Sequence, residues 1–367
     1  MAVDVLHIGC AFYPYKGGSS IRLGTLISHQ KNIRSHIVTH IREDDGQLHG
    51  AATITRLNKY FSLRTIWLLR RLVCQLQPES VVLHNPWVIL LWIVFVDPFH
   101  KVRRVTEIHN FRDESWIKAR ICGCLYRQMD AVVVLSHKAV ELVIRRYHVK
   151  RNCIFVIRNG VPRIPKLTTP TRADHRVVFS YVGTFHLWQG VFVLSEALRS
   201  LGDDFFRIAK VVLAGGGPQE NALHEALRPF IEQGQVQWCG WVEKRHADAI
   251  LAGSDVILMP RLSTLGTEHV LPLKVFEAMN QGKAILATNV GGLTEVLEHN
   301  VNSWIIPPGD PDALAHAMFH LASHDHVRWE LGERGGAQIK HFETWDDSGA
   351  DYEMVLGLEA GKEGKNL

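Results

Sequence analysis

The feature that most constrains this chain is an alternation that stops once and then starts again. Short β-branched apolar runs at residues 3–9, 36–40, 80–83, 102–108, 131–135 and 153–157 read as strands. Between them, residues 19–30, 62–77, 113–129 and 136–147 carry helical spacing, with Ser62 and Ser136 as N-caps. This β-α-β-α order implies a largely parallel sheet covered on both faces. Residues 161–174 then hold three prolines and no periodicity, the composition of a linker. After it, strand patterns return at 176–182, 208–214, 235–239, 255–259, 284–288 and 303–306. The expected fold is α/β, with two doubly wound, Rossmann-like domains facing a cleft that serves as the ligand site. The expected boundaries are 1–165 for the first domain, 166–345 for the second, and 346–367 for a C-terminal helix and tail able to cross back to the first.

A length of 367 residues suits two domains, and 46% apolar with 21% charged residues excludes disorder and fibre architectures. The longest apolar run, 87–96, is half of the roughly 20 residues a bilayer span requires. The N-terminus, with Asp4, reads as a strand and lacks a charged leader segment. A cytoplasmic protein, able to sit at the inner face of the membrane, is expected. The six cysteines form no C-x-x-C pair and are expected to be buried free thiols. The net charge of +4 hides a polarity. Residues 1–165 hold 24 Lys and Arg against 11 Asp and Glu, a balance of +13, whereas 166–367 hold 17 against 26, a balance of −9. The basic half points to an anionic surface or a phosphate-bearing partner. Nucleic acid is not expected, because no recognition motif or aromatic-basic repeat accompanies the charge.

Four glycine-rich turns stand where strands end: Lys16 to Ser20, Gly183 to Gly190, Gly215 to Pro218, and Gly291-Gly292. Such turns let backbone N–H groups approach a phosphate. None matches a P-loop or G-x-G-x-x-G, so neither an NTPase nor a dinucleotide enzyme is indicated. No histidine or aspartate pair shows metal-ligand spacing, and no metal or cofactor is expected.

The order of these segments resembles the GT-B fold of the retaining family 4 (group 1) glycosyltransferases. Lys16-Gly17-Gly18 is similar to that family's N-terminal glycine loop, and Glu107-Ile-His109 to its strand-end histidine. Val156-Ile-Arg-Asn-Gly-Val161 resembles the segment that closes the first domain, and the run from Tyr181 to Val191 the phosphate loop of the second. Leu213 to Pro218, Val236 to Gly240, Ala252 to Val256, Leu271 to Met279, Gly282 to Ile285 and Gly291 to Glu295 follow in the family's order. The resemblance runs from about residue 4 to about residue 320 and implies a metal-independent transferase of the hexosyltransferase type, using a nucleoside diphosphate sugar.

The same resemblance implies particular roles. Glu277 would hold the ribose hydroxyls, an acceptor-only group facing two donors. Gly17, Gly18, Gly183, Thr184, Gln189, Arg261, Leu271 and Lys274 would surround the donor, and His109 would face the sugar. The usual first acid of the family's acid pair falls on His269, so either Glu268 shifts by one to reach the sugar or backbone N–H groups near Leu271 take its role. The phosphate loop carries neutral Thr184 and Gln189 where the family places Arg and Lys. Lys274, with Arg261 second, is the cation expected to stabilise the departing diphosphate. His109, Lys274 and Glu268 are therefore the candidate catalytic residues. One of Asn110, Arg112, Asp113 and Glu114 would meet the acceptor.

Residues 62–77 place Leu63, Ile66, Trp67, Leu69 and Val73 near one stripe edged by Arg64, Arg70 and Arg71. This pattern suits either a buried helix or an anionic membrane surface. For residues 87–96 burial against the sheet is expected. The whole reads as a retaining glycosyltransferase acting on a glycan, glycolipid or polyprenyl-linked acceptor in cell-surface polysaccharide assembly. The competing readings are a non-catalytic sugar-nucleotide-binding or scaffold protein and a sugar-nucleotide epimerase of the same architecture.

Overall fold

The computed structural model describes residues 3–10, 18–30, 33–40, 53–57, 62–161 and 175–358. They form two compact units, Met1–Gly160 with Glu343–Leu367, and Val161–Phe342. The division falls at Gly160/Val161 rather than at 165, and the chain rejoins the first unit at Glu343. The linker prolines at 162–170 lie outside the described residues.

The N-terminal unit is built on seven parallel strands, β1 (Val5–Ile8), β2 (Ser35–His40), β3 (Thr53–Leu57), β4 (Ser80–Leu83), β5 (Arg103–Ile108), β6 (Ala131–Val134) and β7 (Ile154–Val156). Their order is β3-β2-β1-β4-β5-β6-β7. Every residue of β1, β4 and β6 is buried, the mark of a parallel sheet covered on both faces. Strand β3 was not legible from apolar runs: Thr53-Ile-Thr-Arg-Leu57 holds only two apolar residues and lies partly buried at the sheet edge.

The C-terminal unit carries six parallel strands, β8 (Val177–Val182), β9 (Ala209–Ala214), β10 (Val236–Gly240), β11 (Val256–Met259), β12 (Ala284–Thr288) and β13 (Trp304–Ile306), in the order β10-β9-β8-β11-β12-β13. Alternate residues feed two cores. Val256, Leu258, Ala284 and Leu286 face one with Phe179 and Phe205, while Ile257, Met259, Ile285 and Ala287 face the other with Phe276.

In each sheet the first strand has its later neighbours on opposite sides, so the order reverses beside β1 and beside β8. Such reversal points leave room beyond the carboxyl ends of the strands, where ligands bind in folds of this kind.

The helix Trp345–Leu356 starts on a capping box between Thr344 and Asp347 and packs on helix Gly18–His29 and on β5. Gly160 is required where it passes this helix, since a Cβ there would lie 2.3 Å from the Trp345 nitrogen.

Residues 87–96, expected to be buried against the sheet, form a helix at Pro86–Leu91 running into a π-turn at Trp92–Val96. Val88, Ile89, Leu91 and Trp92 are buried as expected, whereas Trp87, Val94 and Phe95 are exposed. The wider turn rotates the last residues off the apolar face. All six thiols are free, but only Cys10 and Cys122 are buried; Cys153 and Cys239 are partly exposed, and Cys74 and Cys124, on outward-facing helix positions, are exposed.

Candidate active site

In the C-terminal unit two glycine turns interlock at the strand-order reversal. The turn after β8 sends the Phe185 N–H to the Gly216 carbonyl (2.9 Å), and the Gly183 N–H bonds the Ala214 carbonyl (3.0 Å). Gly215, at φ +156°, leaves so little room that a Cβ would lie 1.8 Å from the Gly183 carbonyl oxygen. The β8 turn ends at Gly190, at φ +71°, which begins helix Val191–Ser200 and would put a Cβ 1.6 Å from the Pro260 carbonyl oxygen. Only glycine serves at such a junction. The turn after β8 is thereby pressed onto the chain leaving β11. Thr184 is exposed and Gln189 partly so. Neither supplies charge.

Charge comes from elsewhere. Arg261, just past β11, is buried, donates from Nη1 to the Val270 carbonyl (3.1 Å), and has an Nε with no hydrogen-bond partner. Burial lowers its pKa to about 10, with Tyr181 nearby acting in the opposite sense. On helix Leu273–Asn280, Lys274 donates to Glu277 Oε2 at 2.6 Å, and Lys244 Nζ stands 3.5 Å from Oε1 of the same carboxylate. Glu277 is largely buried and sits beyond the helix's first turn, so it does not serve as a dipole cap there. Lys244 was missed, since only tertiary folding brings it to Glu277.

Glu268 has a different local task. Its Oε2 accepts the Gly291 N–H (2.6 Å) and its Oε1 accepts the Ser263 hydroxyl (2.6 Å). This carboxylate thus pins the Gly291-Gly292 turn. His269 bonds within its own helical turn, Nδ1 to the Leu265 carbonyl (2.9 Å). Leu271 is buried immediately before the helix carrying Lys274 and Glu277.

In the N-terminal unit the reversal point gathers histidines from three strands. His7 lies in β1, His84 follows β4, and His109 follows β5. His7 Nδ1 is 3.3 Å from His84 Nε2, and His84 Nδ1 is 3.4 Å from His109 Nε2, with neighbouring rings stacked. His109 Nε2 is 3.6 Å from Glu107 Oε2. Glu107 is fully buried and paired with Arg22, whose remaining donors reach the Ile157 and Arg158 carbonyls and Asn159 Oδ1. Tyr352, on the C-terminal helix, donates to Glu107 Oε2 at 3.3 Å.

The electrostatics follow from this burial. Desolvation lowers the pKa of His109, and Arg22 adds to the effect while Glu107 opposes it. Desolvation likewise takes His84 well below its ordinary value and His7 to about 4. For Glu107 burial works against the charge, yet Arg22, His109 and His84 hold its carboxyl down to about 2. The result is a buried carboxylate beside three neutral imidazoles.

His7, His84, Arg22 and Tyr352 were not foreseen, and Glu107 entered only as the first letter of a motif. Strand-end position was the available signal for His84. Gly18 opens helix Gly18–His29 with nothing near its Cβ direction, and Gly17 lies outside the described residues. Among the described residues, ligand atoms of His84, Glu107 and His109 all fall within 4.8 Å of one another. Sequence spacing did not reveal this group.

Comparison with known proteins agrees with this architecture. The profile described as "Glycosyltransferase Family 4" matches residues 16–163, and that described as "Glycosyl transferases group 1" matches residues 176–324. D-rhamnosyltransferase WbpZ of Pseudomonas aeruginosa is 25% identical over 302 residues, covering 77% of this chain and 74% of WbpZ. An uncharacterised glycosyltransferase of Methanocaldococcus jannaschii is 24% identical over 239 residues, covering 63% of this chain and 59% of its own length. Among solved structures, the Anabaena protein HepE in complex with UDP-glucose superposes with a TM-score of 0.77 at 16% identity, over 97% of this chain and 99% of HepE. The two sheets have the GT-B architecture of such structures. With consecutive halves matched by the two profiles in the expected order, this chain belongs to the family 4, group 1 glycosyltransferases and is a glycosyltransferase.

Proposed function

We propose that the enzyme transfers a hexose-type sugar from a nucleoside diphosphate sugar, with retention of configuration and without a metal requirement, to a glycan or lipid-linked acceptor held by the N-terminal unit. The observation that carries this reading is the Lys274–Glu277–Lys244 cluster in the unit that carries the interlocked glycine turns after β8 and β9. Glu277 offers a largely buried acceptor to ribose hydroxyls, and Lys274 offers the cation that Thr184 and Gln189 do not. Support for the donor class comes from HepE, which was crystallised with UDP-glucose. In this reading no carboxylate acts as glycosyl nucleophile. The leaving phosphate takes the acceptor proton on the front face, and oxocarbenium-like charge is met electrostatically. His109 then contributes a neutral imidazole to the sugar rather than a general base. Cell-surface polysaccharide assembly is the proposed setting, in keeping with the "Putative colanic acid biosynthesis glycosyltransferase WcaL" of Salmonella typhimurium, 27% identical over 38% of this chain.

We also propose peripheral contact with an anionic membrane on the cytoplasmic side. No helix among the described residues is long and apolar enough to cross a membrane. The N-terminal unit nevertheless exposes Leu63, Trp67, Val94, Phe95, Phe99, Trp116 and Ile117. Basic side chains are interleaved with them: Arg71 lies over the Trp67 ring, Arg120 over the Trp116 ring, and Arg70 Nε donates to the Phe95 carbonyl (2.6 Å). Exposed aromatics edged by arginine suit the headgroup region of an anionic bilayer.

The second reading, a non-catalytic sugar-nucleotide binder, is favoured by neutral Thr184 and Gln189. Both readings require nucleotide binding, which a thermal-shift panel of UDP-, GDP-, ADP- and TDP-sugars tests. A ligand that binds only the native state raises its melting temperature. The proposal expects one nucleotide series to do so, and a panel without any shift would contradict it.

A further inference from the structure

We infer that His84, His109 and Glu107 form a binding site for a borderline divalent transition-metal cation, with Zn²⁺ the best match. The donor set, two imidazole nitrogens and one carboxylate oxygen, is the kind zinc and its neighbours take, with a fourth position left for water. Two of the three edges have the length of a shared coordination sphere, and the third lies within 4.8 Å. Two ligand atoms each about 2.1 Å from a tetrahedral centre stand about 3.4 Å apart. His84 Nδ1 and His109 Nε2 are separated by 3.4 Å, and His109 Nε2 and Glu107 Oε2 by 3.6 Å. As an N–H···N hydrogen bond the first contact is long.

The groups behind the three ligands are arranged as a supporting shell. In the tautomer in which His84 Nε2–H donates to His7 Nδ1, the Nδ1 lone pair of His84 is left for a cation. Glu107 keeps Oε2 toward His109 and Tyr352, while Oε1 is held by Arg22. The Arg22 charge is itself matched by Glu107 and by three further oxygen acceptors, so it is not left to repel a cation unopposed. Entry is from the His109 side, where 19% of the side chain is exposed against none for Glu107. Occupancy would take His109 Nε2 away from a sugar hydroxyl, making the cation a brake on transfer. That consequence rests on the proposed role of His109, whereas the binding does not.

The test uses the full chain, stripped with EDTA and titrated calorimetrically with ZnCl₂ in the absence of nucleotide. One saturable site per chain is expected, weakened roughly 10- to 100-fold by His84→Asn and by His109→Asn. His324→Asn, at the separate His320–His324 stack, should leave it unchanged. If His84→Asn fails to fold, the partly exposed His109→Asn and the absorption spectrum of Co²⁺ bound to the native chain, expected to show tetrahedral N/O ligation, decide the matter. Absence of saturable binding to the native chain, or loss of binding in His324→Asn alone, would overturn the assignment. Because nucleotide takes no part, neither outcome bears on the transferase reading.

Discussion

Lys274 and Glu277 stand one helical turn apart, joined by a 2.6 Å contact from Nζ to Oε2, and the opposite carboxylate oxygen faces Lys244 at 3.5 Å. The two lysines differ in exposure, 32% for the Lys274 side chain against 54% for Lys244. An ion pair in solvent contributes little, so Lys244 is expected to be the dispensable partner. Lys244→Ala should change nucleotide affinity by less than about 3-fold, whereas Lys274→Ala should cost about 10-fold or more, as removal of one charged contact does. Titration calorimetry of both variants with the nucleotide identified in the panel checks the ranking.

The contact of Gly190 with the Pro260 carbonyl makes a steric prediction. Gly190→Ala would place a methyl group 1.6 Å from that oxygen at φ +71°, so the turn after β8 must move. A loss of about 2 kcal/mol or more is expected, together with loss of nucleotide binding. Gly18→Ala, with open space around its Cβ, should change stability by less than about 1 kcal/mol. Denaturant melts of the two variants give the comparison.

Acid stability should report the histidine stack. The folded-state pKa of His7 is about 4 against an ordinary 6.5, so between these values the unfolded chain binds the extra proton. Stability is therefore complete above about pH 6.5 and falls as pH drops toward 4. His84 and His109, also lowered by burial, act in the same sense. Glu107, held at about 2 against 4.5, adds a second loss as pH falls from 4.5 toward 2. The charged and titratable groups around the stack are Glu107, Arg22, Tyr352 and Cys10. Melts across this range with chelator present should show the decline, and a His7→Gln variant should flatten its upper part.

Membrane contact makes its own prediction. Trp67→Ser with Trp116→Ser should reduce co-sedimentation with phosphatidylglycerol vesicles severalfold, without lowering the melting temperature, since both rings are exposed. Phosphatidylcholine vesicles should bind the native chain weakly, and added salt should weaken the anionic binding.

Much of the fold was legible because buried parallel strands are short continuous apolar runs. β4 and β12 coincide with the runs read at 80–83 and 284–288. The edge strand β3 escaped because its face is half solvated. In the site, Lys274 and Glu277 could be paired from helical spacing alone. Lys244, His7, His84 and Tyr352 could not, because strand order brings them in from distant segments. Glu268 shows the other limit. A motif offset by one residue placed it near the donor, but the bond to the Gly291 N–H, which ties that acid to a turn, exists only in three dimensions.

The most direct test of the account is release of nucleoside diphosphate from the sugar nucleotide that stabilises the native chain, followed in the native protein, Glu277→Ala and Lys274→Ala. The account predicts slow hydrolysis by the native protein, reduced on the order of 10²-fold or more in both variants, with their melting temperatures little changed. Equal turnover in the native and Glu277→Ala proteins, or binding by the native protein with no turnover of any donor in the presence or absence of acceptor, would contradict it.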